Sequence, residues 1–208
     1  VSKGRGSGFL ADPEGLDRFL DEIYSKTKVK ISIKTRIGKD DPEEFLGLLK
    51  IYNRYPAEEL IIHPRIQTDF YKNKPNLEMF EEAVRTSRID LCYNGDICSK
   101  EDVRMIQNRF PSVDTCMIGR GIIENPGLLS EIEGAGSPDR ALLRRFHDRI
   151  YEEYRGTGMG DKIVLFKMKE IWCYMGRSFP GCEKQLKRIK KAEKTDRYEE
   201  AVAECFEG

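Results

Sequence analysis

The sequence predicts an α/β fold: a parallel sheet of about four strands alternating with helices, followed by a small all-α domain. Three observations predict it. Four short apolar segments of strand length recur along the first 120 residues, the stretches between them read as helix, and no strand candidate follows residue 137. The strand segments are Lys28–Thr35, Glu59–Pro64, Asp90–Gly95 and Asp114–Arg120. Each is rich in β-branched or other apolar residues and closes on Gly, Pro or a polar residue. Their ends recur at the length of one βα unit, and strands joined through helices pair in parallel.

The intervening helices carry start signals. Asp12-Pro13-Glu14 supplies an N-cap, a proline at the first helical position and a first-turn acid, and Leu16, Phe19, Leu20 and Ile23 follow at helical spacing. Asp41-Pro42 with Glu44 makes a fuller capping box leading into Phe45, Leu49 and Tyr52. Ser99 with Asp102 opens a third helix and Asn125-Pro126 a shorter one. Ser137-Pro138 starts a helix whose Leu142, Leu143, Phe146 and Ile150 share a face. Helices over Ile163–Met175, Glu183–Lys194 and Tyr198–Phe206 continue the chain. The expected domains are 1–136 and 137–208. For the first, both a doubly wound sheet and a (β/α)8 barrel fit the pattern.

Bulk properties constrain function little. Lys plus Arg and Asp plus Glu are 36 each in 208 residues. Residues 139–208 hold 16 basic against 13 acidic residues, an asymmetry whose sign suits a polyanion at the C-terminal end. The six cysteines (Cys92, Cys98, Cys116, Cys173, Cys182 and Cys205) form no CxxC pair, so no metal site is expected and free thiols of a reducing cytoplasm are. No apolar run approaches the ~20 residues that span a bilayer, and no signal peptide is visible, so a cytoplasmic protein without a membrane partner is expected.

Polar residues cluster at the C-terminal ends of the strand segments, where parallel α/β folds build their sites. Lys34 and Arg36 end the first, His63 and Arg65 the second, Asn94, Gly95 and Asp96 the third, and Gly119 and Arg120 the fourth. Gly119, followed by Arg120 and Gly121, permits close backbone approach to a ligand, and Arg120 can grip phosphate with two donors. The Asn-Gly-Asp stretch also suits a plain turn. Lys34 lies in an apolar strand, where an ammonium needs a partner or solvent at the sheet mouth. Strand alternation puts Lys34 and Arg36 on one face. His63 suits either a donor to a ring carbonyl or a satisfied core histidine, and His147 is expected to be structural or on the surface. Lys184, Lys187, Arg188, Lys190, Lys191 and Lys194 form a basic run opposed only by Glu193, with Lys184, Lys187, Arg188 and Lys191 along one helix face. Such a face is either solvated or a phosphate-binding surface.

GSGFL at 6–10, IKTRIG at 33–38, IIHPR at 61–65, YNGDICS at 93–99 and MIGRGIIENP at 117–126 together resemble the dihydrouridine synthase family. More loosely, LFKMKEIWCYMGR resembles the start of that family's tRNA-binding helical domain. The resemblance implies the C-terminal half of a (β/α)8 barrel that binds FMN, takes electrons from NADPH and reduces the C5–C6 bond of a tRNA uridine. It places Lys34, His63, Asn94, Gly95, Asp96, Gly119 and Arg120 at FMN. Arg36 and Arg65 would meet substrate, and Lys184, Lys187, Arg188 and Lys191 would meet tRNA. The family's proton-donating cysteine stands in an N-x-G-C-P motif expected just upstream of Val1, and none of the six cysteines has that context. The chain is therefore expected to be a fragment or trimmed form, inactive alone, whose open sheet edges need the other half-barrel or a second copy. The alternatives are another FMN barrel acting on a small molecule and a non-catalytic tRNA-binding module.

Overall fold

The computed structural model describes residues 4–136 and 139–207. Four strands, β1 (Ile33–Gly38), β2 (Leu60–Ile66), β3 (Leu91–Tyr93) and β4 (Thr115–Cys116), pair in parallel in the order β1-β2-β3-β4. They alternate with α1 (Pro13–Lys26), α2 (Glu44–Tyr52), α3 (Leu77–Thr86) and α4 (Lys100–Arg109). Then come α5 (Arg120–Glu124), α6 (Leu128–Ile132), α7 (Arg140–Gly156), α8 (Asp161–Met175), α9 (Glu183–Lys191) and α10 (Thr195–Glu207). All four expected strands form, within an α/β fold.

The strand boundaries moved for lack of ladder partners. β2 starts at Leu60, opposite Ile33; ahead of it the Ile31 carbonyl still accepts from the Glu58 amide at 2.9 Å, but residues 28–30 have no such partner among the described residues and Val29 is exposed. At the other end β1 continues to Gly38, beyond the expected Thr35. The fourth strand keeps only Thr115 and Cys116, opposite Cys92 and Tyr93, and Arg120 is already helical.

The start signals act as their chemistry dictates. Asp12 accepts from the Gly15 amide at 2.8 Å, ahead of Pro13 in the first turn of α1. Glu44 accepts from the amides of Lys39, Asp40 and Asp41 at 2.7–3.0 Å, while Asp41 accepts from the Glu43 amide at 2.9 Å. That reciprocal box fixes the turn between β1 and α2. Asn76 caps α3 through the Met79 amide at 3.0 Å. The expected cap at Ser137-Pro138 lies outside the described residues, and Asp139 caps α7 by accepting from the Leu142 amide at 2.7 Å.

The chain forms two compact units, residues 1–96 with 101–118, and residues 97–100 with 119–208. They divide after Ile118, ahead of the 136/137 boundary expected where strand candidates cease, because α5 packs on α8. In the first unit one sheet face is covered by helices. The Thr35 hydroxyl meets that of Tyr52 on α2 at 2.8 Å, and Tyr93 packs edge-on to Phe80 of α3 at 5.1 Å. Thr35, Ile62 and Tyr93 are neighbours on that face by register.

The second unit packs around Trp172 of α8, which contacts Phe179 and Phe206 at 5.4 and 6.0 Å between ring centroids. His147, 2% exposed, is structural. The Trp172 indole donates to the Tyr198 oxygen at 2.9 Å, so the Tyr198 hydroxyl donates to His147 Nε2 at 2.7 Å. His147 Nδ1 then donates to Asp148 at 2.8 Å. Burial lowers the His147 pKa, in keeping with the neutral tautomer this chain of bonds requires. Replacing Tyr198 with Phe strands the indole N–H and the imidazole Nε2 together. Urea unfolding should show a loss on the order of 2 to 4 kcal/mol; an unchanged midpoint would mean that water replaces the hydroxyl.

Candidate active site

Strand alternation and register assign the other sheet face. Lys34, Ile61 and Cys92 lie side by side across β1, β2 and β3, and Arg36 lies beside His63 one step nearer the C-terminal strand ends. Arg65, Asn94 and Asp96 follow where β2 and β3 finish. The sheet thus gathers the candidates from its first three strands at one mouth.

Arg65 organises that mouth. It is 1% exposed, and its guanidinium forks onto Asp96, with Nη1 to Oδ1 at 2.9 Å and Nη2 to Oδ2. Nη1 also donates to His63 Nε2 at 3.0 Å, and Nε donates to the Asn73 carbonyl at 2.6 Å. A planar fork satisfying four acceptors is a task that lysine cannot perform. Arg65 was expected at substrate. In this structure its donors hold Asp96, His63 and the β2–α3 loop in register.

His63 is 7% exposed, and its pKa is pushed down to about 4 by burial first and then by Arg36, Arg65 and Lys34, with Asp96 opposing. The ring is neutral near pH 7. With Nε2 accepting from Arg65, the proton sits on Nδ1, which makes His63 a hydrogen-bond donor. Lys34 is exposed and donates to Asn94 Oδ1 at 2.6 Å, while Asn94 Nδ2 donates to the Met117 carbonyl at 2.8 Å. Burial of its stem, followed by the Arg36 charge, lowers the Lys34 pKa. Gly95 has a steric duty: a Cβ there would overlap the Tyr93 phenol. Cys92 lies level with Lys34 on the same face, two strands away, its thiol pushed up by burial, and burial raises Cys116 to about 11. Both thiols are protonated at neutral pH.

Two aromatic residues of the β2–α3 loop escaped sequence analysis. Tyr71 stacks on His63 at 6.0 Å between centroids, and the Arg36 guanidinium lies 5.7 Å from the Tyr71 ring. Arg36 also donates to the carbonyls of Ile66 and Phe70 at 2.7 and 3.2 Å. Phe70 is the one non-glycine residue with positive φ among the described residues, at φ 50°, ψ −99°. Arg36 thus holds a strained turn that lays Tyr71 beside the mouth. The loop carries no periodicity and no motif, so only its tethers reveal it.

Gly119 and Arg120 belong to the second unit, where Gly119 precedes α5 and Arg120 is its first residue. The glycine demanded by close packing there is Gly121, whose Cβ would overlap the Ile97 carbonyl. On α9, Lys184, Lys187 and Lys191 are exposed, whereas Arg188 is bound by Glu204 and, at 3.1 Å, by Glu200 of α10. The acids that occupy Arg188 are distant in sequence, so the run looked opposed by Glu193 alone.

Sequence comparison identifies the family. Residues 1–206 match the family model described as dihydrouridine synthase (Dus). The chain belongs to the dihydrouridine synthase family. Among curated relatives, a probable tRNA-dihydrouridine synthase of Staphylococcus epidermidis is 32% identical over 164 residues, covering 74% of this chain and 48% of the relative. A tRNA-dihydrouridine synthase B of Pasteurella multocida is 27% identical, over 68% of this chain and 42% of the relative. A tRNA-dihydrouridine(16) synthase of Aquipseudomonas alcaligenes is 26% identical, over 98% of this chain and 67% of the relative. The chain spans about half the length of the first two.

Two outcomes are expected of this geometry. Asp96→Asn leaves the Arg65 charge buried without its counter-charge and should cost about 3 kcal/mol in urea unfolding. Adding Arg65→Met should recover part of that loss; if the single variant unfolds like wild type, Asp96 is not what holds Arg65. The second outcome concerns pH. His63 has a folded pKa below its unfolded one, so between about pH 6.5 and about pH 4 the unfolded state takes the proton first. Stability should be unaffected by this group above that window and fall within it by roughly 3 kcal/mol. His63→Gln should flatten that part of the pH–stability curve, and an unaltered slope would assign the decline to other groups.

Proposed function

We propose that this chain supplies the FMN-holding site and a tRNA-binding surface of a tRNA-dihydrouridine synthase, which reduces the C5–C6 bond of a uridine with electrons from NADPH. The observation that carries the proposal is the mouth of the sheet, where one hydrogen bond holds Lys34 to Asn94 and a separate set holds Arg65 to His63 and Asp96. Its charge suits the cofactor. Three cations, Lys34, Arg36 and Arg65, face one acid, Asp96, which favours a phosphorylated ligand with a ring that gains negative charge on reduction.

Lys34 places a positive charge beside the ring, and Asn94 fixes where that ammonium points. His63, neutral and protonated on Nδ1, donates to a carbonyl rather than adding charge. Arg65 acts through His63 and Asp96 as a positioning residue. The family motif assigns Gly119 and Arg120 to the phosphate. Bound there, FMN would supply hydride transfer. Arg36 and Tyr71 offer a donor fork and a ring face for an exposed base, which must leave its stack to react. No cysteine of residues 1–208 stands in the family's N-x-G-C-P context, so the proton for C5 is assigned to a donor outside them, and the chain alone is expected not to turn over.

The sheet is read as the C-terminal half of a (β/α)8 barrel. Sequential strand order with α2 and α3 on one face favours it over a doubly wound sheet, which reverses order and carries helices on both faces. Along the free edge of β1 runs a cleft of about 670 Å³, lined by Leu16, Phe19, Leu20, Ile23, Ile31 and Ile33 among others. It would seat the adjoining half-barrel or a second copy.

Titration of the chain with FMN, followed by visible absorbance, should perturb the flavin bands, and Lys34→Ala should weaken binding by roughly tenfold, the loss of one charge-assisted contact. Bands identical to free flavin with the chain and with an upstream-extended form would overturn the FMN site. For tRNA, Lys187→Ala with Lys191→Ala should lower the slope of log K against log salt by roughly 1 to 2; a wild-type slope would leave that face merely solvated.

A further inference from the structure

The second unit carries an exposed aromatic residue that the site above does not use. Phe166 on α8 is 67% exposed, with Ile163, 49% exposed, on the preceding turn and Met159, 38% exposed, in the loop before the helix. Burying a phenylalanine is favourable, so a ring left this open on an ordered helix marks a contact surface when its surroundings are built for one.

Its surroundings are basic. A depression of about 490 Å³ is lined by Lys162, Leu165, Phe166, Lys169, Ala192 and Glu193. A second, of about 610 Å³, is lined by Lys187, Arg188, Lys191, Lys194 and Arg197 and shares Ala192 and Glu193 with the first. The two adjoin across the turn between α9 and α10. Arg188 and Arg197 pair with acids of α10, and on α8 Lys167 pairs with Glu170. Lys162, Lys169, Lys187, Lys191 and Lys194 make no ion pair among the described residues. Against these five stand Glu193 between the depressions, Asp161 at the start of α8 and Asp196 in the first turn of α10, which leaves the face net basic. A protein partner covering Phe166 would have to desolvate or neutralise that surplus, whereas a polynucleotide brings phosphates for the lysines and π-faces for the ring.

We propose that this face receives an unstacked stretch of RNA, with one base stacked on Phe166 and its flanking phosphates on Lys162 and Lys169, continuous with the basic face of α9. The proposal rests on the tRNA reading above and deepens it, extending the docking surface from α9 to α8 and giving it a preference for unpaired bases. Stacking on an aromatic ring tolerates any base, so Phe166 contributes affinity for exposed bases without reading sequence. The lysines contribute the salt-dependent part.

The test is equilibrium binding of the full chain to two probes, an unmodified tRNA transcript and a blunt RNA duplex with no unpaired bases, followed by fluorescence anisotropy. Phe166→Ala and Phe166→Leu should each weaken tRNA binding about tenfold, and Phe166→Trp should hold it within about twofold, because leucine keeps apolar bulk but loses the ring. Duplex binding should not respond to any of the three. Lys162→Ala with Lys169→Ala should lower the salt slope for tRNA by roughly 1 to 2. The proposal is overturned if Phe166→Leu binds tRNA like wild type, or if duplex binding falls in parallel. It is also overturned if the Phe166 variants lose self-association in sedimentation velocity while keeping tRNA affinity, which would assign the face to protein. If the wild-type chain binds neither RNA, the tRNA reading falls with it; if wild type binds tRNA and the Phe166 series is flat, this inference falls alone.

Discussion

Arg65 is almost wholly buried yet permanently charged, and the mouth of the sheet is arranged around satisfying it. Burying an unpaired guanidinium would cost several kcal/mol, so Asp96, His63 and the Asn73 carbonyl must stand where its five N–H groups point. That requirement ties the end of β2 to the turn after β3 and to the loop before α3. It also decides the state of His63. By donating to Nε2, Arg65 puts the imidazole proton on Nδ1, and the surrounding cations and burial keep the ring neutral. A structural ion pair thereby prepares a neutral donor at a site otherwise dominated by positive charge.

The two faces of the sheet divide the labour. Toward the helices, Thr35, Ile62 and Tyr93 meet Tyr52 and Phe80 and supply packing. On the opposite face the same strands present Lys34, Arg36, His63 and Cys92, whose desolvation is tolerable only with hydrogen bonds to neighbouring groups and partial access to water. Arg36 bridges the functions. It stands on the polar face, yet its donors hold the strained Phe70 turn and its charge lies beside Tyr71.

In the second unit, polar groups in the core and charges on the surface follow opposite rules. Inside, Trp172, Tyr198, His147 and Asp148 complete a directional chain in which every donor finds an acceptor, fixing how α7, α8 and α10 pack. Outside, the arginines of α9 and α10 are engaged by neighbouring acids, while lysines on α8, α9 and the turn after α9 are left without them. The lysines without an ion pair among the described residues and the exposed Phe166 line adjoining depressions.

The sequence alone determined the alternation of strands and helices, the capping box of Asp41 and Glu44, the family, and the placing of Asn94 and Asp96 just past a strand end. These are local signals: period, cap chemistry and motif order act within a few residues and survive without knowledge of neighbours. Tertiary structure decided the rest. The length of β1 and the brevity of β4 depend on where the neighbouring strand offers hydrogen bonds. The role of Arg65 depends on acceptors up to 31 residues away, the availability of Arg188 on acids of α10, and the position of Tyr71 on tethers from Arg36. Each is a pairing between groups distant along the chain, and one sequence names the groups without saying which will meet.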